Sequence, residues 1–236
     1  HSTFPEWVYN HGWIIKLGRL IVTEGKTMSE ATQSAMAILR DPSTLQWYVI
    51  PLLALLFYIY TIEIQKRDWS LVLAGLAFWG MDWINEIWNS LVLHFNGFAP
   101  VWGAPGQTAY LILAGLNIEI TFMFAISGII WGKMLLPDKR TKILGITNRW
   151  FFIIAGSIFC VVIECILNAA GMLTWDYPWW SRSAPWLIFI IGYVPFFLVS
   201  FWVYDMQKLK SKLITVGVIW TVVLASLLIF IPMGWI

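Results

Sequence analysis

Charge is what this chain has least of. Only 12% of its 236 residues are Asp, Glu, Lys or Arg, about half of the roughly 25% usual in soluble domains. Two cysteines exclude a disulfide scaffold. A net charge of +2 leaves no basic surface on which a nucleic acid would sit. Disorder and a collagen-like repeat are excluded by 59% hydrophobic residues and a mean hydropathy of +0.73. No soluble core of this length absorbs so much apolar surface. There is also no Gly-rich phosphate loop, nucleophile elbow or His-rich desaturase box. Two intramembrane His residues for haem b are missing as well. Haem, dinucleotides and ATP are therefore not expected, and no cofactor is assigned.

What is present is a succession of long apolar runs. The fold class they predict is all-α, a polytopic membrane helix bundle. Six spans read at about 46–65, 69–95, 107–135, 150–172, 184–204 and 213–235, each near the ~20 residues that cross a hydrocarbon core of about 30 Å. Residues 46–236 form the bundle and residues 1–45 a separate, more polar region. There Trp7, Ile14, Leu17 and Ile21 recur at helical spacing, as do Met28, Thr32, Ala35 and Leu39, until Asp41-Pro42 ends the second run. Two short amphipathic helices, lying on the membrane face or capping the bundle, are expected.

Basic residues set the orientation. Lys66 and Arg67, then Lys133, Lys139, Arg140, Lys142 and Arg149, then Lys208, Lys210 and Lys212 all fall in or beside alternate loops. The opposite loops carry Arg182 alone. The Lys- and Arg-rich side is cytoplasmic, so both termini are expected outside. No secretory signal precedes this outward segment and the chain opens at His1. Either a leader has been cleaved or the sequence starts within a longer chain. The outer loops, 95–106 and 174–180, are rich in Trp, Pro and Gly. They suit an interfacial aromatic belt, and also the roof of a cavity.

Acids inside the spans are the informative feature. Asp82 and Glu86 lie in span 2, Glu119 in span 3 and Glu164 in span 4, with no Lys, Arg or His at comparable depth. Asp82 and Glu119 count to near the midplane, Glu86 and Glu164 about a turn further out. Asp82, Asn85, Glu86 and Asn89 share one helix face; Ser157, Cys160, Glu164 and Asn168 share another. A charge at the bilayer centre costs about 2.5–3.5 kcal/mol even on the lenient insertion scale. Four such residues are thus expected to converge in one buried site, with Asn117 and Asn168 beside them. They are then neutral acids, or hold a cation or metal, or surround a cationic or cation-forming substrate. The plain alternative is that they join helices through Asn-to-carboxyl bonds.

Glu63 and Asp205 read as end-of-span residues beside Lys66, Arg67 and Lys208. Gly128-x-x-x-Gly132 permits a close helix approach, Pro195 a kink, and Cys160 and Cys165 face different ways as core thiols. His1, His11 and His94 all fall on the outer side, and a terminal amine with two imidazoles would suit Cu(II).

Two functions follow. The first is an enzyme acting on a lipid-soluble substrate: a buried carboxylic acid protonates an alkene or epoxide and a second carboxylate takes a proton back. Trp79 and Trp83 flank Asp82, where indole faces stabilise a developing cation. The stretch Asp82-Trp-Ile-Asn-Glu-Ile-Trp-Asn89, followed by Gly115-Leu-Asn117, resembles the small all-helical membrane terpene cyclases of fungal meroterpenoid and indole-diterpene pathways. The likeness covers about two spans and departs in span number, in the N-terminal region and in the order of Asn, Trp and Glu. It implies cyclisation or isomerisation of an isoprenoid, with Glu86 as the carried-over acid. The second function is a cation or proton pathway, or an accessory subunit of a larger membrane complex. Expected partners are the bilayer, a hydrophobic small molecule or lipid, and membrane proteins, not nucleic acid.

Overall fold

The computed structural model describes residues 27–236, and the fold is mostly helical. The first amphipathic run, with His1 and His11, lies outside the described residues. The second forms α1, Glu30–Ile38, capped by the Ser29 hydroxyl and burying Thr32 and Ala35 against Ala104 and Leu111. It therefore packs on the protein itself. Arg40, in the left-handed region, and the Asp41-Pro42 turn end it.

Six further helices follow: α2, Val49–Gln65; α3, Trp69–Asn96; α4, Ile118–Met134; α5, Asn148–Ala169; α6, Pro185–Asp205; and α7, Leu209–Phe230. Of these, α5, α6 and α7 are long and apolar enough to cross a membrane. The apolar α2 has 17 residues, as does α4, whereas α3 has 28 and carries two acids and two Asn in its middle. Helix α3 is the central post, since α4, α6 and α7 all pack along it.

Span 3 was expected from residue 107, but the helix starts at Ile118. Residues before it fold as a hairpin, β1 (Leu111–Leu113) against β2 (Leu116–Asn117), turned at Ala114-Gly115. The side chain of Asn117 then caps α4 by accepting from the Ile120 N–H at 2.8 Å. Hydropathy alone cannot tell a buried hairpin of Leu and Ile from a helix turn. A second hairpin, β3 (Lys142–Ile143) with β4 (Ile146–Thr147), joins α4 to α5.

Loops 97–117 and 170–184 cluster at one end of the bundle, the aromatic end, together with α1. There Arg40 donates to the carbonyls of Ile112 and Ile236, tying the start of the bundle to its last residue. Loops 66–68, 135–147 and 206–208 form the basic end.

The Gly128 motif serves the contact between α3 and α4. A Cβ on Gly128 would stand 2.8 Å from the Gly75 Cα, so the two backbones touch. In α6, residues Ile188–Tyr193 adopt a π-helical turn just before Pro195. A proline removes one helical N–H and crowds the turn before it. The wider turn absorbs that, and it carries Gly192 and Tyr193 toward α3.

Candidate functional site

Halfway up α3, Phe78, Phe124, Phe196 and Phe197 close into an aromatic cluster, Phe78 meeting the other three at 5.0–5.9 Å between ring centres. One turn nearer the aromatic end the helices part around a cavity of about 340 Å³. Its walls are apolar apart from a few groups, among them Asp82, Asn85 and Glu86 from α3 and Glu164 from α5. All three carboxyls are buried, and among the described residues no Lys, Arg or His lines the space.

Each acid is held differently. Glu86 accepts the Trp102 indole N–H at 2.7 Å. Glu164 accepts the Trp175 indole N–H at 3.1 Å, with the Tyr193 hydroxyl and the Trp180 indole beside the same carboxyl. Asp82 Oδ2 and Glu86 Oε2 are buried without a hydrogen-bond partner among the described residues. Buried polar atoms are rarely left so, and each such case calls for an explanation.

The roof is built from the aromatic loops. Asn89 is wholly buried and clamps residues 101–102: its carbonyl oxygen accepts from the N–H groups of Val101 and Trp102, and its amide donates to the Trp102 carbonyl at 2.7 Å. That clamp sets Trp102 over Glu86. Trp180 stacks on Trp102 at 5.3 Å. The two loops are joined by paired bonds between Gly103 and Thr174, 3.0 and 2.8 Å. A Cβ on Gly115 would lie 2.7 Å from Glu86 Oε2, so this position leaves room for the carboxyl only as glycine.

The structure thus brings Asp82, Glu86 and Glu164 to one cavity, with Asn85 beside them. It corrects the expectation that Glu119 joins them. Because α4 begins at Ile118, Glu119 sits in its first turn at the aromatic end, not at mid-depth. There it is saturated by the Tyr48 hydroxyl, the Thr108 hydroxyl at 2.6 Å and the Ala109 N–H at 2.7 Å. Trp79 and Trp83 do not line the cavity either. Trp79 donates to the Thr121 hydroxyl at 2.8 Å and meets Trp220 edge-on, and Trp83 packs on the far side against Ile87 and Leu113. Asn117 is a helix cap, and Asn168 bridges the Leu173 carbonyl and Arg182. The indoles that meet the acids are Trp102, Trp175 and Trp180, from loops where composition suggested a roof without naming a residue.

Near the basic end, Glu63 pairs with Lys133 at 2.5 Å and Lys66 at 3.3 Å. Asp205 pairs with Arg149, at 2.8 Å, not with Lys208. His94 is exposed and stacks on Trp235 at 5.0 Å. Among the described residues no group of three or more His, Cys, Asp or Glu side chains is placed to hold a metal ion.

Helices long and apolar enough to cross a membrane, clustered tryptophans and an apolar chamber holding three acids define an integral membrane protein. The chain belongs to a family described as an uncharacterized membrane protein family, which it matches over residues 29–232. Among its relatives is an uncharacterized protein of Archaeoglobus fulgidus, 58% identical over 184 residues, covering 78% of this chain and 87% of the relative. A shorter uncharacterized protein of the same organism is 49% identical over 53 residues, 22% of this chain and 95% of that one. No solved structure matches. These matches carry no link to the terpene cyclases.

Proposed function

We propose that the chain is a membrane-embedded enzyme that moves protons on a lipid-soluble substrate, isomerising or cyclising it. The observation that carries this reading is the trio Asp82, Glu86 and Glu164 around one apolar cavity, with no basic residue and no partner for two carboxyl oxygens among the described residues. Six helices, α2 to α7, cross the bilayer in this reading, with the basic end cytoplasmic. A cysteine placed near Lys139 is then labelled from the cytoplasmic side only, and one near Trp102 from outside only.

The roles follow from the hydrogen bonds. Asp82, which no donor approaches, gives its proton to an alkene carbon or an epoxide oxygen. The electron pair of the double bond, or of the breaking C–O bond, moves with it and leaves a carbocation. Trp102 and Trp180 present indole faces to that cation. Glu86 or Glu164, each already accepting an indole N–H, takes one proton from a neighbouring carbon, whose C–H electron pair closes the new double bond, and Asp82 regains a proton from that acid or from solvent before the next turnover. One proton enters and one leaves, so the substrate is rearranged without oxidant or cofactor.

The proton-pathway alternative requires polar groups running on from Asp82 toward the basic end. The next turn holds instead the Phe78, Phe124, Phe196 and Phe197 cluster, with Phe78 and Phe197 fully buried, which favours chemistry in place over conduction. The test is incubation of the protein in lipid nanodiscs with isoprenoid alkenes in D₂O, where a proton delivered to carbon stays as a C–D bond. Deuterium on product carbon, lost in Glu86→Gln with folding unchanged, supports the proposal; exchange that persists in Glu86→Gln and in Asp82→Asn overturns it.

A further inference from the structure

The chamber is shut in most directions. Toward the aromatic end, Trp102 and Trp180 cover it, on loops pinned by Asn89 and by the Gly103–Thr174 bonds. Toward the basic end, the phenylalanine cluster seals it. Behind it stand α3 and α6, in contact along their length and joined at the Ser200 hydroxyl to the Ala74 carbonyl, 2.9 Å. The remaining wall is made by α4 and α5. Its residues recur at helical spacing on both: Ile120, Met123, Ser127 and Trp131 on one, Phe159, Ile163 and Leu167 on the other. These helices meet at Trp131 and Phe159, whose rings touch edge-on at 5.9 Å. Nearer the aromatic end they line the cavity without a ring contact between them, and the rim residues Met123 and Phe159 are 42% and 55% exposed. Phe159 stands midway along α5, one of the helices long and apolar enough to span. Ile158, Val162 and Ile166 beside it face outward too. The rim therefore faces hydrocarbon, not water.

We infer that a single-chain amphiphile enters sideways from the bilayer between α4 and α5, its hydrogen-bond-donating head, a hydroxyl or an ammonium, reaching Asp82 and Glu86 while its apolar chain trails past Met123 and Phe159. The head is argued from Asp82 Oδ2 and Glu86 Oε2, buried without a partner among the described residues, which a hydroxyl satisfies by donating or by accepting, an ammonium by donating, and a bare hydrocarbon end not at all. The tail is argued from the rim, which is apolar and open only where lipid is. The inference rests on the chamber being a ligand site, as proposed above, but not on proton transfer occurring there.

The experiment is photolabelling of the full chain in nanodiscs with three diazirine-bearing sixteen-carbon probes: an alcohol, a primary amine and the parent alkane. The alcohol or amine is expected to label peptides holding Met123, Ser127, Phe159 and Ile163. The alkane is expected to do so about tenfold less, the size of one unmade bond to a buried carboxyl. Ser127→Trp fills the gap and is expected to reduce labelling at least as much. Phe159→Ala, at a largely exposed position where truncation is tolerated, widens the gap and speeds labelling. Label placed on the aromatic loops, equal labelling by all three probes, or labelling indifferent to both variants overturns the inference. If the label falls as expected while no deuterium reaches product carbon, the portal stands and the proton-transfer reading fails; the converse retires the portal alone.

Discussion

The acids of the two ends of this bundle are treated in opposite ways. At the basic end Glu63 has Lys133 and Lys66, Asp205 has both arms of Arg149 at 2.8 and 3.0 Å, and the half-buried Asp68 caps α3 by accepting the Leu71 N–H. In the chamber three carboxyls share a cavity, and among the described residues no cation lines it and two oxygens have no partner. Glu119 stands between these cases, without a cation but saturated by three neutral donors. Folding selects for satisfied acids, since an unpaired buried one costs stability. Asp82 Oδ2 and Glu86 Oε2, without partners among the described residues, depart from that rule, and the proposed function gives them a use.

Breaking a satisfied acid should do the most damage to stability. Glu119→Ala orphans the Tyr48 hydroxyl, the Thr108 hydroxyl and the Ala109 N–H together. A cost of about 2–3 kcal/mol is expected, at 1–3 kcal/mol for each stranded group and with some rehydration at this half-buried site. Reversible unfolding in mixed micelles measures it; a loss below 1 kcal/mol, on the same scale, would remove Glu119 from the satisfied class. Arg149→Ala comes next. It strands Asp205, whose side chain is 24% exposed, so about 2 kcal/mol is expected, less than the 3–5 of a fully buried pair. Asp205→Ala in the same background should recover part of that loss.

The contrast between the two ends was partly legible in the sequence. Acids among apolar residues announce themselves by cost alone, and the spacing of Asp82 and Glu86 put both on one face of α3. The apolar runs likewise marked α2, α3, α5, α6 and α7 to within a few residues of their observed bounds. Glu119 was misplaced because its depth was counted from residue 107, and nothing in the hydropathy of residues 107–117 distinguishes a hairpin from three helical turns. The partners were illegible for another reason. Trp102, Trp180 and Arg149 reach their acids from 16 or more positions away in the chain, through loop geometry that no periodicity encodes. Neighbours in sequence, such as Trp79, Trp83 and Lys208, were the visible candidates, and helical geometry turns the two indoles away from the cavity.

A third, smaller effect tests how closely the chamber is fitted to its acids. Gly115→Ala sets a methyl group 2.7 Å from Glu86 Oε2, 2.7 Å from the Trp102 ring and 2.5 Å from the Asn89 amide nitrogen. An overpacking cost of about 1–2 kcal/mol is expected. Shortening the acid relieves one of the three contacts, so Glu86→Ala in the Gly115→Ala background should cost less than the sum of the two single changes. Simple additivity would show that the glycine answers to the loop alone.

The smallest effect on stability is expected where the effect on function is largest. Asp82 is buried in apolar surroundings, and Oδ2 accepts no bond among the described residues. The folded protein bears its desolvation with nothing gained in return. Replacing a poorly satisfied buried polar group by an apolar one of similar shape is neutral or stabilising. Leu at position 82 keeps much of the volume, prefers the helix at least as well and fits the apolar wall. Asp82→Leu is therefore expected to lie within about 0.5 kcal/mol of the parent or to exceed it in stability, the reverse of what the same change does at Asp205. Unfolding in mixed micelles measures the first half; deuterium transfer to an isoprenoid substrate, expected to vanish, measures the second. A loss of 2 kcal/mol or more would mean that Asp82 is held by bonds as Glu119 is, that the chamber acids are structural after all, and that the two ends of the molecule differ in packing and not in purpose.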